Sequence, residues 1–234
     1  MKIGIVSEGI HDFLVLKEAI ETIGRRRSKP ISSVESLQPI VDATSQRQRG
    51  AGGWARVRVW LEDNAGDQLH KVLSPQLFST SPHYDILVVH LDGDVIWLCN
   101  EFTQLERAQC FNQTSKVVQT IEKFIEQKLD IPDDLDDRIV YAVPALHTES
   151  WLICAAKRAP FRTNIEHRKI KLPAQRYLSY RYKIDDKQLF VKAARDLGVG
   201  LDELRKELVS LDHFCKKLET LERFPLILDH IRMS

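Results

Sequence analysis

The chain has 234 residues, 43% of them hydrophobic, enough for one full domain with a smaller appendage. Its 34 basic and 33 acidic side chains nearly cancel, so the net charge of +1 argues neither for nor against nucleic acid, and only local charge is informative. No apolar run approaches the roughly 20 residues of a membrane span. The four cysteines, Cys99, Cys110, Cys154 and Cys215, form no CxxC pair, which disfavours a zinc knuckle and fits a reducing cytoplasm.

In chain order, Lys2 to Val6 reads as a short buried strand. Gly9 follows, and Asp12 or a neighbour can cap a helix whose apolar positions are Phe13, Leu14, Leu16, Ile20 and Ile23, with Gly24 as its stop. Arg25 to Gly53 is polar and broken by prolines and glycines, and reads as an irregular insert. Ala55 to Leu61 alternates apolar and basic residues, which predicts a half-exposed strand, and a helix follows over Ala65 to Leu73. Tyr84 to Leu91 is the strongest strand signal, a nearly unbroken β-branched run of the kind buried on both faces of a parallel sheet. It ends in Asp92-Gly93-Asp94. A helix over Ser115 to Leu129, an acidic connection over Asp130 to Asp137, a strand over Arg138 to Val143 and a helix holding Trp151 come next. Leucines every three or four residues from Leu201 to Leu221 make the C-terminal part helical.

Strands alternating with helices define an α/β fold with a mostly parallel sheet and a helical C-terminal part. The expected organisation is a core over residues 1–157, with an insert at about 25–83, and a segment over 158–234 packed on it. Ligands of such sheets bind beyond the carboxyl ends of the strands. All three clear strands end at or near an acid: Glu8, then Asp92 and Asp94, then Glu149. Two residues apart in extended chain, Asp92 and Asp94 would face one side, and Gly93 would leave room for a ligand. Converging carboxylates repel one another, and a divalent cation relieves that repulsion.

Glu8-Gly9 after the first strand and Asp92-Gly93-Asp94 after a later one resemble the signatures of the TOPRIM family. The resemblance spans roughly residues 1–24 and 84–157. Pro144 with His147-Thr148-Glu149-Ser150-Trp151-Leu152 is similar to a motif of small stand-alone bacterial TOPRIM-like proteins of unknown function. Those in turn resemble the nuclease part of the overcoming-lysogenization-defect proteins. What the resemblance implies is a magnesium- or manganese-dependent nuclease. Glu8 would act as general acid or base and also face the metal, and Asp92 and Asp94 would hold the metal. Asp12 matches an acid of the nuclease branch, and Glu149 would be a further metal ligand. His11 and His147 could contact phosphate or metal, although a lone histidine more often makes only a local hydrogen bond. The implied setting is bacterial defence. The chain contains no P-loop GxxxxGK[ST], so any ATP-driven step would belong to a separate ATPase subunit.

From Lys157 to Lys183 there are nine Lys or Arg against one acid, Glu166, with tyrosines interleaved. Basic side chains neutralise phosphates and aromatic rings stack on unpaired bases. Arg162, Arg168, Lys169, Lys171, Arg176, Tyr180 and Arg181 are therefore the candidate contacts to DNA or RNA. The competing reading is a non-catalytic subunit that binds nucleic acid or a partner, and a third is a phosphotransferase or phosphatase acting on a small nucleotide. Sequence leaves open DNA versus RNA, endo- versus exonuclease action and homo-oligomer formation.

Overall fold

The computed structural model describes residues 1–26, 31–39, 53–74, 83–157, 166, 171–182 and 186–221. Four parallel strands form the centre: β1 (Lys2–Val6), β2 (Ser33–Gln38), β3 (Ile86–His90) and β4 (Ile139–Ala142), in the order β2-β1-β3-β4. Ten helices lie among the described residues: α1 (Ile10–Arg26), α2 (Trp54–Asp63), α3 (Asp67–Leu73), α4 (Val95–Leu98), α5 (Gln104–Cys110), α6 (Thr114–Leu129), α7 (Glu149–Lys157), α8 (Lys171–Tyr182), α9 (Asp186–Glu207) and α10 (Val209–Thr220). The expected α/β class, parallel sheet and helical C-terminal part are all present.

Alternation along the strands splits the core in two. Ile3, Ile5, Ile86, Val88, Val140 and Ala142 face one layer, packed on α1, α7, α9 and α10. Val6, Leu87, Val89, Ile139 and Tyr141 face the other, built from α2, α3 and α6. Since β1, β3 and β4 are covered on both faces, their sequences are apolar but for Lys2 at the start of β1 and His90 at the end of β3, whereas edge strand β2 is only half buried. The C-terminal helices share a core with α1 and α7: Trp151 stacks on Phe214 at 6.2 Å, and its Nε1 donates to Ser210 Oγ at 2.9 Å. Glu166 accepts the Val209 and Ser210 backbone N–H groups and so caps α10.

Three expectations are corrected. Residues 25–53 are not wholly irregular, because Ser33–Gln38 pairs in parallel with β1, from Lys2↔Ser33 onward. Ala55 to Leu61 is helix, not strand. Val57 and Leu61, four apart, are fully buried while Val59 is 49% exposed, so the burial follows a helical period. Gly24 does not stop α1, which runs on to Arg26. A Cβ there would meet Ile31 Cδ1 at 2.4 Å, so a larger residue would need the Ile31 side chain to turn aside.

Arg138 ties three loops at the amino end of the sheet. Its guanidinium donates to Tyr84 O at 2.7 Å, to Asp85 O at 2.9 Å and to Leu73 O. Replacing it with methionine keeps the aliphatic stem and leaves these carbonyls without their donor. Arg138→Met is expected to cost about 2–3 kcal/mol, read as a lower urea midpoint at unchanged m-value.

Candidate functional site

The strand order places a topological switch between β1 and β3: the chain leaves β1 toward β2 on one side and resumes at β3 on the other. A crevice opens at the carboxyl ends of the strands on either side of such a switch. In register, Val6 lies beside Val89 and His90 beside Ala142, so the residues after β1, β3 and β4 meet along one edge.

Glu8 is the first to cross the crevice. Its Oε1 accepts the backbone N–H of Asp92 at 2.7 Å, and its own carbonyl accepts Gly53 N–H at 2.7 Å. Asp92, only 2% exposed, is held from the other side: Thr148 N–H donates to its Oδ1 at 3.1 Å and Thr148 Oγ1 at 3.2 Å. With its hydroxyl hydrogen committed to Asp92, Thr148 Oγ1 is left to accept from His90 Nε2, 2.8 Å away. His147, 6% exposed, sits with Nδ1 3.5 Å from Asp92 Oδ2 and 3.7 Å from Asp94 Oδ2. Glu149 opens α7 and is buried. Two groups of potential ligand atoms result, each mutually within 4.8 Å: Glu8–His90–Asp92 and Asp92–His147–Glu149. Asp92 belongs to both.

Asp94 departs from its expected placement. The chain is not extended after Asp92; it turns, and Asp94 has helical backbone angles at the head of α4. The two aspartates nonetheless flank one imidazole, that of His147. Nor does Gly93 leave room for a ligand. A Cβ there would lie 2.0 Å from Ala145 O and 2.6 Å from Val117 Cγ1, so the glycine lets the β4–α7 loop close against the aspartate turn. Asp12 lies in the first turn of α1, close enough to raise the proton affinity of both Glu8 and His90. His11 stacks on Phe190, ring centroids 3.8 Å apart.

Charge crowding shows in proton affinities. Burial, and then the charge of Asp92, pushes the Glu8 carboxyl from 4.5 up to about 8. Burial pulls His90 down, but Asp12, Asp92 and Glu8 outweigh it and lift the imidazole from 6.5 to about 9. His147 is likewise raised, by Asp92, Asp94 and Glu149 acting against burial. For both Glu8 and His90 the folded chain keeps a proton that the unfolded chain releases. Their stabilisation is therefore full below the unfolded values, 4.5 and 6.5, and is lost as pH rises through about 8 and about 9. Ion-free protein is expected to lose stability between about pH 4.5 and pH 9, and a saturating divalent cation to flatten that loss. Denaturant midpoints across this range, in chelator and in manganese, check it.

Of the basic candidates, Arg176 and Arg181 are not gathered into this site. Arg162, Arg168 and Lys169 lie outside the described residues. Lys171, Arg176, Tyr180 and Arg181 lie on α8, where Arg176 and Arg181 are exposed. Arg181 Nε reaches Ala156 O at 3.4 Å, at the opposite end of α7 from Glu149. Seven helical residues separate Ala156 from Glu149, roughly 10 Å along the axis. Two tyrosines of the segment are structural: Tyr182 is buried with its hydroxyl donating to Asp196, and Tyr177 packs against the core. His90 was not singled out by the sequence. Its signal was a lone polar residue in the apolar run before Asp92, on the α1–α7 face of β3.

These features define an α/β protein with an acid–histidine cluster at the switch point of a parallel sheet. No protein family, curated protein or solved structure matches the chain.

Proposed function

We propose that the protein is a metal-dependent nuclease of TOPRIM type, cleaving phosphodiester bonds at the cluster around Asp92. The observation that supports this most is the pair of overlapping ligand groups, Glu8–His90–Asp92 and Asp92–His147–Glu149, sharing one buried aspartate in the crevice where such folds bind ligands. The residues fit a divalent cation. Burial, and then the charge of Asp92, keep a proton on Glu8 up to about 8, a cost that a divalent cation would relieve, and His147 Nδ1 makes no hydrogen bond among the described residues.

Asp92, Asp94, Glu8 and Glu149 would hold the ion. When bound, it supplies charge neutralisation at a phosphodiester and a lowered pKa for water. Glu8 brings proton handling. Held beside Asp92, its carboxylate would take a proton from water and return it to the leaving oxygen. The Asp92 N–H donated to Glu8 Oε1 fixes that carboxyl, and Thr148 fixes Asp92, so neither has to reorganise. The exposed arginines of α8 serve the phosphate backbone away from the reacting bond. DNA or RNA is the substrate class, and an ATPase partner would act in trans.

The test is cleavage of single- and double-stranded DNA and RNA with magnesium or manganese, beside Glu8→Gln. Cleavage that needs the ion and falls on the order of 10²-fold or more in Glu8→Gln supports the nuclease. Ion binding without cleavage of any of the four substrates turns the reading toward a small phosphate substrate. Neither binding nor cleavage leaves the non-catalytic subunit.

A further inference from the structure

We propose that His147 is a metal ligand, making the centre a mixed nitrogen–oxygen site that selects a first-row transition ion over magnesium. This rests on the divalent-ion reading above and goes further, to the identity of the ion.

The carboxylates alone do not argue it; the imidazole does. His147 is only 6% exposed, and its Nδ1 is closed to water. Its Nδ1 lies 3.5 Å from Asp92 Oδ2 and 3.7 Å from Asp94 Oδ2. Both separations are too long for an N–H···O hydrogen bond, and Nδ1 makes none among the described residues. A buried nitrogen with no hydrogen bond is uncommon and calls for a partner. The separations suit atoms sharing an ion, since neighbouring ligands about 2.1 Å from one cation lie roughly 3–4 Å apart. The backbone of the residue is also anchored. The His147 carbonyl accepts Ser150 N–H at 3.0 Å and Ser150 Oγ at 2.8 Å, which fixes the residue at the entry to α7.

Magnesium prefers oxygen ligands throughout, whereas imidazole favours transition ions. Placing imidazole among Asp92, Asp94 and Glu149 therefore tilts the site toward the latter. His90 is the other buried imidazole here, and its Nδ1 also makes no hydrogen bond among the described residues, but the nitrogen it turns toward Asp92, Nε2 at 3.5 Å, is engaged by Thr148.

The experiment loads the full-length chain with Mn²⁺ and records electron spin-echo modulation, beside titration calorimetry with Mn²⁺ and Mg²⁺. Expected are ¹⁴N modulation on bound manganese, and manganese binding at least about 10-fold tighter than magnesium. In His147→Gln the modulation is lost and the two ions bind within about threefold of each other. His213→Gln, which alters a histidine of α10 paired with Glu122 of α6, retains both properties. If His147→Gln does not fold, wild-type protein carrying ¹⁵N-histidine decides whether histidine supplies the nitrogen. Manganese bound without nitrogen modulation in wild type overturns the proposal while leaving the divalent-ion reading standing. Modulation that survives in His147→Gln moves the ligand to another histidine and overturns the assignment. Failure of wild type to bind any divalent ion sinks the reading beneath both.

Discussion

Asp92→Asn is expected to abolish divalent-ion binding and to lower ion-dependent cleavage by about 10²-fold or more, with the fold intact. Asp92 is the one residue common to both ligand groups, so a single neutral substitution weakens every arrangement of ions the site could hold. The amide keeps an oxygen at Oδ1 to accept from Thr148 N and Thr148 Oγ1. Glu8 also keeps its partner, because that bond comes from the Asp92 backbone. Circular dichroism and the urea midpoint verify that the scaffold survives. Calorimetry and cleavage then report on charge alone. Retained ion affinity in a folded Asp92→Asn protein would sink the assignment of Asp92 as shared ligand.

Gly93→Ala is expected to act in the opposite way, through packing rather than charge. One methyl group would stand 2.0 Å from the Ala145 carbonyl oxygen and 2.6 Å from Val117 Cγ1. Val117 can turn, but the carbonyl belongs to backbone tied in turn to the site: Gly93 N–H donates to Pro144 O at 3.0 Å and Asp94 N–H to Leu146 O at 3.4 Å. The loop must move as a unit. A loss of about 3 kcal/mol is expected, or roughly 6–12 °C in Tm for a chain of this size. Ion affinity should fall with it, since the same loop delivers His147 and Thr148. A Gly93→Ala protein with wild-type Tm would mean that the loop yields freely.

The parts of this molecule legible in the sequence are those where one local signal dominates. β3 could be read because burial on both faces makes Ile86 to His90 apolar but for its last residue, and α6 because its apolar face recurs at helical spacing. Glu8 and Asp92 stood out as acids stopping apolar strands. β2 could not be read so. Ser33–Gln38 is an edge strand with one fully buried residue, Val34, so neither an apolar run nor a clear alternation marks it. α2 misled because Val57, Val59 and Leu61 fall at period two, and only burial shows that Val59 belongs to the other face. His90 was hidden for a different reason. Nothing local says that a histidine in β3 will meet a threonine after β4, a separation of 58 residues closed only by the sheet.

The Glu8–Asp92 contact spans 84 residues, and that separation bears on how the molecule is made. β1 leaves the ribosome well before β3, its neighbour toward the site, which is not translated until residue 86. Until then, of the strands among the described residues, β1 has β2 alone to pair with, which leaves its other edge open to any strand it meets. Parallel pairing across so long a loop is slow to form because closure entropy comes before the contacts that offset it. The carboxylate cluster is thus completed late, after the sheet that separates its members in sequence has closed. A chain stalled or truncated before β3 would present Glu8 on an unpaired strand edge, with no acid opposite it and no crevice to enter.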